Sequence, residues 1–391
     1  MKRIITRILT LVLAGSLLLS CAAAEESPFT QTMVERSLFS VGNTQRFHRA
    51  IEKARAGEEV SIVYLGGSIT EGAQAQPQQS HCYAAMSAQM FVNKFMESRS
   101  QLKYHNAGIS GTPSLLGITR VEKDVLAHQP DIVFVEFAVN DGGDPLSQIQ
   151  YESLVARLLN SETQPAVILI FTLGNTGYSG HVHMKQVGKH YDLGMISVYD
   201  AIWPEMLMKN MEWSDYSNDT VHPHTAGHAF IAKLIGHYYD VAVATPPTDY
   251  VLPEDARYGR DLEDLRNLRP GDPEILSEGG FPYGNATCYS YLYGWRRMGA
   301  EGGEPLALQL NAKHLTIAFK QENNASCGTA EVWVDGKLAE TLVGNSPSAW
   351  GNIVTKHIRL GEGGPHTVEI KMAEGHIAKK FTLLDLAVAG E

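Results

Sequence analysis

Two rhythms of apolar residues divide the chain. From about residue 43 to 242, solid apolar runs alternate with segments of helical spacing. Asn43 stands where a helix N-cap is expected; Phe47, Ala50, Ile51 and Ala54 then fall on one face, and Gly57 ends the helix. The pattern next predicts a strand over 60–65, a helix over 83–95, a strand over 102–106 and a helix over 115–126. A strand over 131–137, a helix over 151–159, a strand over 166–173 and a polar helix over 184–191 follow, then a strand over 195–199 and a last helix over 226–239. Strands that are apolar on both faces and separated by helices imply a parallel sheet covered on both sides.

Thr245-Pro246-Pro247-Thr248 and the charged run 254–264 break this rhythm, and the period then becomes two. Leu306/Leu308/Leu310, Leu315/Ile317/Phe319, Val332/Val334 before the turn Asp335-Gly336, and Val368/Ile370/Met372 each alternate apolar with polar residues, as strands of an all-β sandwich do. The expected organisation is a leader over 1–21, an α/β domain over 30–245, a linker over 246–269 and a jelly-roll-like β-sandwich over 270–391.

The leader has Lys2, Arg3 and Arg7 before an apolar stretch over 8–19, too short to span a bilayer comfortably, which is the pattern of a secretory signal peptide. Leu18-Leu19-Ser20-Cys21 matches a bacterial lipobox with Cys21 as the lipidated residue; Ala22-Ala23-Ala24 offers an ordinary signal-peptidase site instead. The expectation is an exported protein, a bacterial lipoprotein or, if Cys21 is not lipidated, a freely secreted protein, that meets a membrane only through a lipid anchor. Loss of the three basic leader residues changes the formal charge from −11 to −14, which excludes nucleic acid as a natural partner because like charges repel. Of the other cysteines, Cys288 and Cys327 are candidates to pair, or with Cys82 are simply small buried residues.

In open α/β sheets, reacting groups gather at the carboxyl ends of the strands. Here those ends read Gly66-Gly67-Ser68-Ile69-Thr70, Asn106-Ala107-Gly108-Ile109-Ser110-Gly111-Thr112 and Ala138-Val139-Asn140-Asp141, and Asp219-Thr220-Val221-His222-Pro223 precedes the final helix. A serine hydroxyl needs a base to take its proton, and the base needs a partner that fixes its tautomer. His222 and Asp219 supply that pair to Ser68 from one short loop. The backbone N–H groups of Ser68 and Gly111 and the side-chain amide of Asn140 are the candidate donors to the oxyanion.

These four segments in this order resemble the SGNH (GDSL-like) hydrolase superfamily, whose blocks contribute serine, glycine, asparagine and histidine. The resemblance covers roughly residues 60–240 and implies a flavodoxin-like three-layer fold with Ser68 as nucleophile, Asp219 and His222 completing a triad, and Gly111 and Asn140 completing the oxyanion hole. Gly108 competes with Gly111, which better matches the family's Ile-Ser-Gly pattern. The first block reads Gly-Gly-Ser-Ile-Thr where many members have Gly-Asp-Ser-Leu, and Ala138 stands where Gly is common. Thr70 excludes the Gly-x-Ser-x-Gly elbow of another hydrolase fold.

No cofactor or metal is expected. His181 with His183, and His224 with His228 on one helix face, have the spacing of metal ligands but no carboxylate or cysteine partner in sequence. An exported acidic enzyme with an added β-sandwich resembles the superfamily's carbohydrate esterases that remove acetyl groups from plant polysaccharides. The implied partner is an acetylated poly- or oligosaccharide; lipid or thioester hydrolysis, and a silent glycan-binding lipoprotein, are the competing functions. The polar loop 74–79 suits a hydrated substrate, and no Leu- and Phe-rich lid is present. Tyr289, Tyr291, Tyr293 and Trp295 alternate, so in a regular strand they share one face, either an exposed sugar strip or part of the sandwich core or docking face. Trp350, in Ser346-Pro347-Ser348-Ala349-Trp350-Gly351-Asn352, is a candidate to reach over the active-site mouth.

Overall fold

The computed structural model describes residues 27–299, 302–361 and 364–391. The leader and Cys21, with the cleavage and lipidation expected there, lie outside the described residues.

The solid apolar runs become one six-stranded sheet. Strands β1 (Leu38–Ser40), β2 (Val60–Gly66), β3 (Leu102–Gly108), β4 (Ile132–Glu136), β5 (Ala166–Phe171) and β6 (Gly194–Ser197) lie in the order β1-β6-β5-β4-β2-β3, parallel except for β1. The five parallel strands have the flavodoxin-like order, with its switch point between β2 and β4. Helices α1 (Gln31–Ser37), α2 (Gln45–Arg55), α3 (Ser68–Glu71), α4 (Gln78–His81) and α5 (Tyr83–Phe95) precede α6 (Ser114–Asp124), α7 (Pro145–Leu159), α8 (His181–His190), α9 (Val198–Met208) and α10 (Thr225–Ala244). Apolar residues of α1, α2, α5, α9 and α10 form one core against the sheet, and those of α6, α7 and α8 form another on the opposite face.

Local chemistry moves several boundaries. In α2, Phe47, Ala50, Ile51 and Ala54 are the buried face, but Thr44 rather than Asn43 is the N-cap. Asn43 instead accepts the Gln45 N–H at 3.0 Å. Helix α7 starts six residues before the expected 151, because the Asp144 side chain accepts the N–H groups of Leu146 and Ser147, with Pro145 in the first turn. The strand expected to 199 stops at Ser197, whose Oγ accepts the Asp200 N–H at 3.0 Å and starts α9, which the pattern missed.

The rest of the chain forms two antiparallel sheets. Strands β7 (Arg266–Asn267), β8 (Ile275–Ser277), β9 (Tyr283–Cys288), β10 (Tyr291–Arg297), β11 (Leu306–Leu310) and β12 (His314–Gln321) are followed by β13 (Thr329–Val334), β14 (Lys337–Val343), β15 (Asn352–Arg359), β16 (His366–Met372) and β17 (Phe381–Ala389). One sheet has the order β15-β12-β17-β10-β9, with β7 added on β17; the other has the order β14-β13-β16-β11-β8. Leu306, Leu308, Leu310, Leu315, Ile317, Phe319, Val368 and Ile370 meet between them. Strand β12 is buried on its second face too, because Ala318 packs with Ile109 and Leu116 of the α/β half. Asn267 Nδ2 donates to Thr119 O at 2.8 Å and Ser290 Oγ to Asp124 Oδ2 at 2.8 Å, which fixes the sandwich against α6.

The aromatic alternation does not make one face. Tyr289 precedes the strand with φ +52°, and the β9–β10 register shifts between Tyr291 and Tyr293. Trp295 enters the sandwich core and Tyr291 the docking face, while Tyr293 stays exposed. Cys82, Cys288 and Cys327 are buried free thiols, so Cys288 and Cys327 do not pair.

Candidate active site

At the end of β2 the chain runs through Gly66 and Gly67 into α3, which begins at Ser68. A Cβ at 66 would lie 2.1 Å from Thr70 Oγ1, and one at 67 would lie 2.3 Å from Asn140 Oδ1. Both glycines are thus required by close approach, and the second sets the Asn140 amide beside the residue before Ser68. Asn140 Oδ1 is buried and unpartnered.

His222 joins Ser68 to Asp219. Its Nε2 lies 2.9 Å from Ser68 Oγ and its Nδ1 2.8 Å from Asp219 Oδ2. Because the carboxylate only accepts, the proton belongs on Nδ1, and Nε2 is left to accept from the serine hydroxyl. The three-residue spacing works through a tight turn: Asp219 Oδ1 accepts the N–H groups of Val221 at 2.8 Å and His222 at 2.7 Å. Burial pushes the Asp219 carboxyl up, but those two N–H groups and the imidazole outweigh it and hold the group below its usual range. Ser217 Oγ donates to His222 O at 2.6 Å, and His224 caps α10 by accepting the Gly227 N–H at 3.2 Å.

Gly111 is exposed with φ +71°, and a Cβ there would lie 3.0 Å from Trp350 Cζ2. Trp350, 63% exposed, therefore extends from the sandwich to the loop after β3, and its Nε1 lies 3.4 Å from the Tyr289 hydroxyl. Gly108, the competing glycine, is packed under α3, where a Cβ would lie 2.1 Å from Glu71 N. Ser110 donates to Glu71 of α3, and Ile109 N–H donates to Gly66 O at 3.1 Å, so the Gly111 loop is tied to the Ser68 segment.

Two acidic residues hidden in the pattern organise these loops. Glu136, fully buried at the end of β4, accepts from Thr70 Oγ1 at 3.1 Å, Thr172 Oγ1 at 2.6 Å and the backbone N–H groups of Gly67 and Ala138. Burial pushes its carboxyl above the usual range against the pull of those bonds. Asp141 Oδ1 accepts the Ser114 N–H at 2.8 Å, joining the Asn140 segment to the start of α6. Burial pushes this carboxyl up to about 7. A charged residue at the end of an otherwise apolar strand was the signal available for Glu136.

His228 and His181 have structural contacts away from the triad. His228 accepts the Tyr83 N–H at 3.3 Å and lies 3.0 Å from Ala73 O, and burial pushes it down to about 4. His181 stacks on Tyr199 at 4.0 Å. Among the described residues no group of three or more His, Cys, Asp or Glu is placed to hold a metal ion. A groove of about 970 Å³, lined by Gln129, Thr163, Lys313 and Arg359, lies at the amino ends of β4 and β5, opposite Ser68.

The family described as GDSL-like Lipase/Acylhydrolase matches residues 64–230, which include Ser68, Gly111, Asn140, Asp219 and His222. No curated protein matches the chain. A two-domain esterase (CEX) active on acetylated mannans, co-crystallized with mannopentaose, is 27% identical, with a TM-score of 0.81 over 92% of this chain and 98% of its own. A second structure of a two-domain esterase (CEX) active on acetylated mannans is 27% identical, with a TM-score of 0.80 and the same coverage of both chains. Residues 64–230 are thus a domain of the GDSL-like lipase/acylhydrolase family, and the chain that carries it is a carboxylic ester hydrolase.

Proposed function

We propose that the chain removes O-acetyl groups from carbohydrate, in particular acetylated plant cell-wall polysaccharide or its oligosaccharides, through an acyl-enzyme on Ser68. The observation that carries the mechanism is the unbroken relay from Ser68 Oγ through His222 to Asp219, with spacings of 2.9 and 2.8 Å, at the carboxyl edge of the sheet. Ser68 Oγ bonds to the acetyl carbon as its proton passes to His222 Nε2. The tetrahedral oxyanion is met by the N–H groups of Ser68 and Gly111 and by the Asn140 amide. The carbon–oxygen bond to the sugar then breaks, and His222 returns the proton to the sugar oxygen. Water repeats the sequence on the acyl-enzyme and releases acetate.

Three observations favour a sugar ester over a lipid. The full-length structural neighbours act on acetylated mannans. Trp350 offers an exposed ring against Gly111. Beside it, a groove of about 520 Å³ is lined by Tyr289, Lys320, Asn323 and Asn324, which suits hydroxyl groups better than an acyl chain. Trp350 is accordingly a substrate-binding residue, and export with Cys21 as lipid anchor would bring the enzyme to such substrates. The test is hydrolysis of p-nitrophenyl esters from acetyl to octanoyl, alongside acetate release from acetylated mannan and xylan, by wild type and Ser68→Ala. Acetyl preference and polymer deacetylation, both lost in the variant, are expected. A long-chain preference would make the enzyme a lipase or thioesterase.

A further inference from the structure

A second exposed aromatic stands across the site from Trp350, and the acyl-transfer steps do not use it. Tyr178, 50% exposed, lies on the loop after β5. That loop is pinned on both flanks. Asn175 N–H donates to Thr220 O at 2.9 Å, next to Asp219, and Gly180 N–H donates to Ala138 O at 2.6 Å. Within it, Gly174 N–H donates to Tyr178 O at 3.0 Å and Ser179 Oγ to Thr172 O at 2.7 Å. The Tyr178 hydroxyl itself donates to Asp141 O at 2.6 Å, next to Asn140. Gly177, with φ +76°, lies flat on Trp203, where a Cβ would come within 2.5 Å of Cζ2.

The ring is therefore held by its own polar tip between the segments that carry Asn140 and Asp219. An exposed aromatic held in this way loses little further freedom when a ligand covers it, which is what a preformed binding platform needs. Its hydroxyl is already satisfied, so what it offers a ligand is the apolar face of the ring. Asn175 and Thr176 beside it are exposed and offer hydrogen-bonding groups for hydroxyls.

The strand order fixes where this platform lies. Along the carboxyl edge the loops after β3, β2, β4 and β5 carry Gly111, Ser68, Asn140 and Tyr178 in that spatial sequence, and Trp350 covers Gly111. Three strand spacings of about 4.8 Å place the two outer loops roughly 14 Å apart. Ser68 lies between them, not at one end.

We propose that Tyr178 is a sugar-stacking platform which, with Trp350 on the other flank, seats a polysaccharide chain across the sheet edge and presents acetyl groups of internal residues to Ser68. This rests on the carbohydrate reading given above. It makes the cleft open at both ends and the preferred substrate a chain that continues past the acetylated sugar in both directions.

Steady-state acetate release from acetylated glucomannan, compared with hydrolysis of p-nitrophenyl acetate, tests it in wild type, Tyr178→Ala and Tyr178→Phe. Tyr178→Ala is expected to raise KM for the polymer about tenfold more than KM for the small ester, the mark of a lost binding contact. Tyr178→Phe keeps the ring, so its polymer KM stays within about threefold of wild type. A wild-type polymer KM in Tyr178→Ala overturns the proposal and leaves the deacetylase reading standing. Equal losses on polymer and small ester make Tyr178 a support for the Asn140 segment, and also overturn it. A wild type that cleaves p-nitrophenyl acetate but frees no acetate from any polysaccharide overturns both.

Discussion

Thr70, two residues past Ser68, donates its hydroxyl to Glu136 Oε2 across 3.1 Å in the fully buried space beneath the sheet edge. The same carboxylate receives Thr172 from the end of β5 and the backbone of Gly67 and Ala138. One acidic group thus ties the Ser68 segment, the Asn140 segment and the loop carrying Tyr178 to a common point. Glutamine in its place has one acceptor oxygen and turns an NH₂ toward a donor. A buried donor left unsatisfied costs about 1–3 kcal/mol. Glu136→Gln is expected to lower stability by about that amount in urea unfolding and to reduce kcat on p-nitrophenyl acetate about tenfold, with KM within about twofold. A variant with wild-type kcat would show that Glu136 does not position the site.

The approach of Gly67 to Asn140 gives a steric test of the oxyanion assignment. A methyl group at 67 would lie 2.3 Å from Asn140 Oδ1, so Gly67→Ala displaces the amide. It should reproduce Asn140→Ala, each lowering kcat about 10²–10³-fold, the usual cost of losing an oxyanion donor. Unchanged kcat in both variants would remove Asn140 from the reaction.

Asp219 has two tasks, and substitutions separate them. Asparagine retains an oxygen to accept from Val221 and His222 but no longer holds the Nδ1–H tautomer, so Asp219→Asn should fold normally and lose about 10³–10⁴ in kcat. Asp219→Ala should also lower the melting temperature, because the turn loses both of its caps. A fully active Asp219→Asn in a steady-state assay would contradict the assignment.

Asp141 makes stability depend on pH in a defined window. Its folded pKa, pushed by burial to about 7 from an ordinary 3.8, means that the folded chain holds this proton more tightly than the unfolded chain does. The group's contribution is complete below about pH 4, falls by at most about 1.4 kcal/mol per pH unit, and is gone above about pH 7. The substitution Asp141→Asn keeps an acceptor for the Ser114 N–H without titrating. Urea unfolding of wild type and Asp141→Asn at pH 5 and pH 8 is expected to show the smaller pH effect in the variant. Equal pH effects would contradict it.

The candidate site residues stood out because each sits just past a strand or just before a helix, where glycine, serine, asparagine and histidine interrupt an apolar pattern. Both sheets were legible for the same reason: burial on two faces in β2, β4 and β5 and on alternate residues in β11 and β16 writes itself into the sequence. What escaped depends on events without a period. Glu136 belongs to an apolar strand, and three of its four donors, Thr70, Thr172 and the Gly67 N–H, come from distant segments. The start of α9 rests on a single serine cap, and Pro204 within it speaks against a helix. The aromatic alternation failed at a register shift after Tyr291, which periodicity cannot foresee. Trp350 was picked out from its loop, but its contact with Gly111 depends on how the two halves dock.

The most direct test of the central claim is to trap the acyl-enzyme. Wild-type protein mixed with excess p-nitrophenyl acetate, quenched in acid within milliseconds and digested, should carry a single acetyl group on the peptide that contains Ser68, and His222→Ala should accumulate far less of it. Rapid turnover with no acetyl on that peptide, or full hydrolysis by Ser68→Ala, would contradict a serine mechanism at this site.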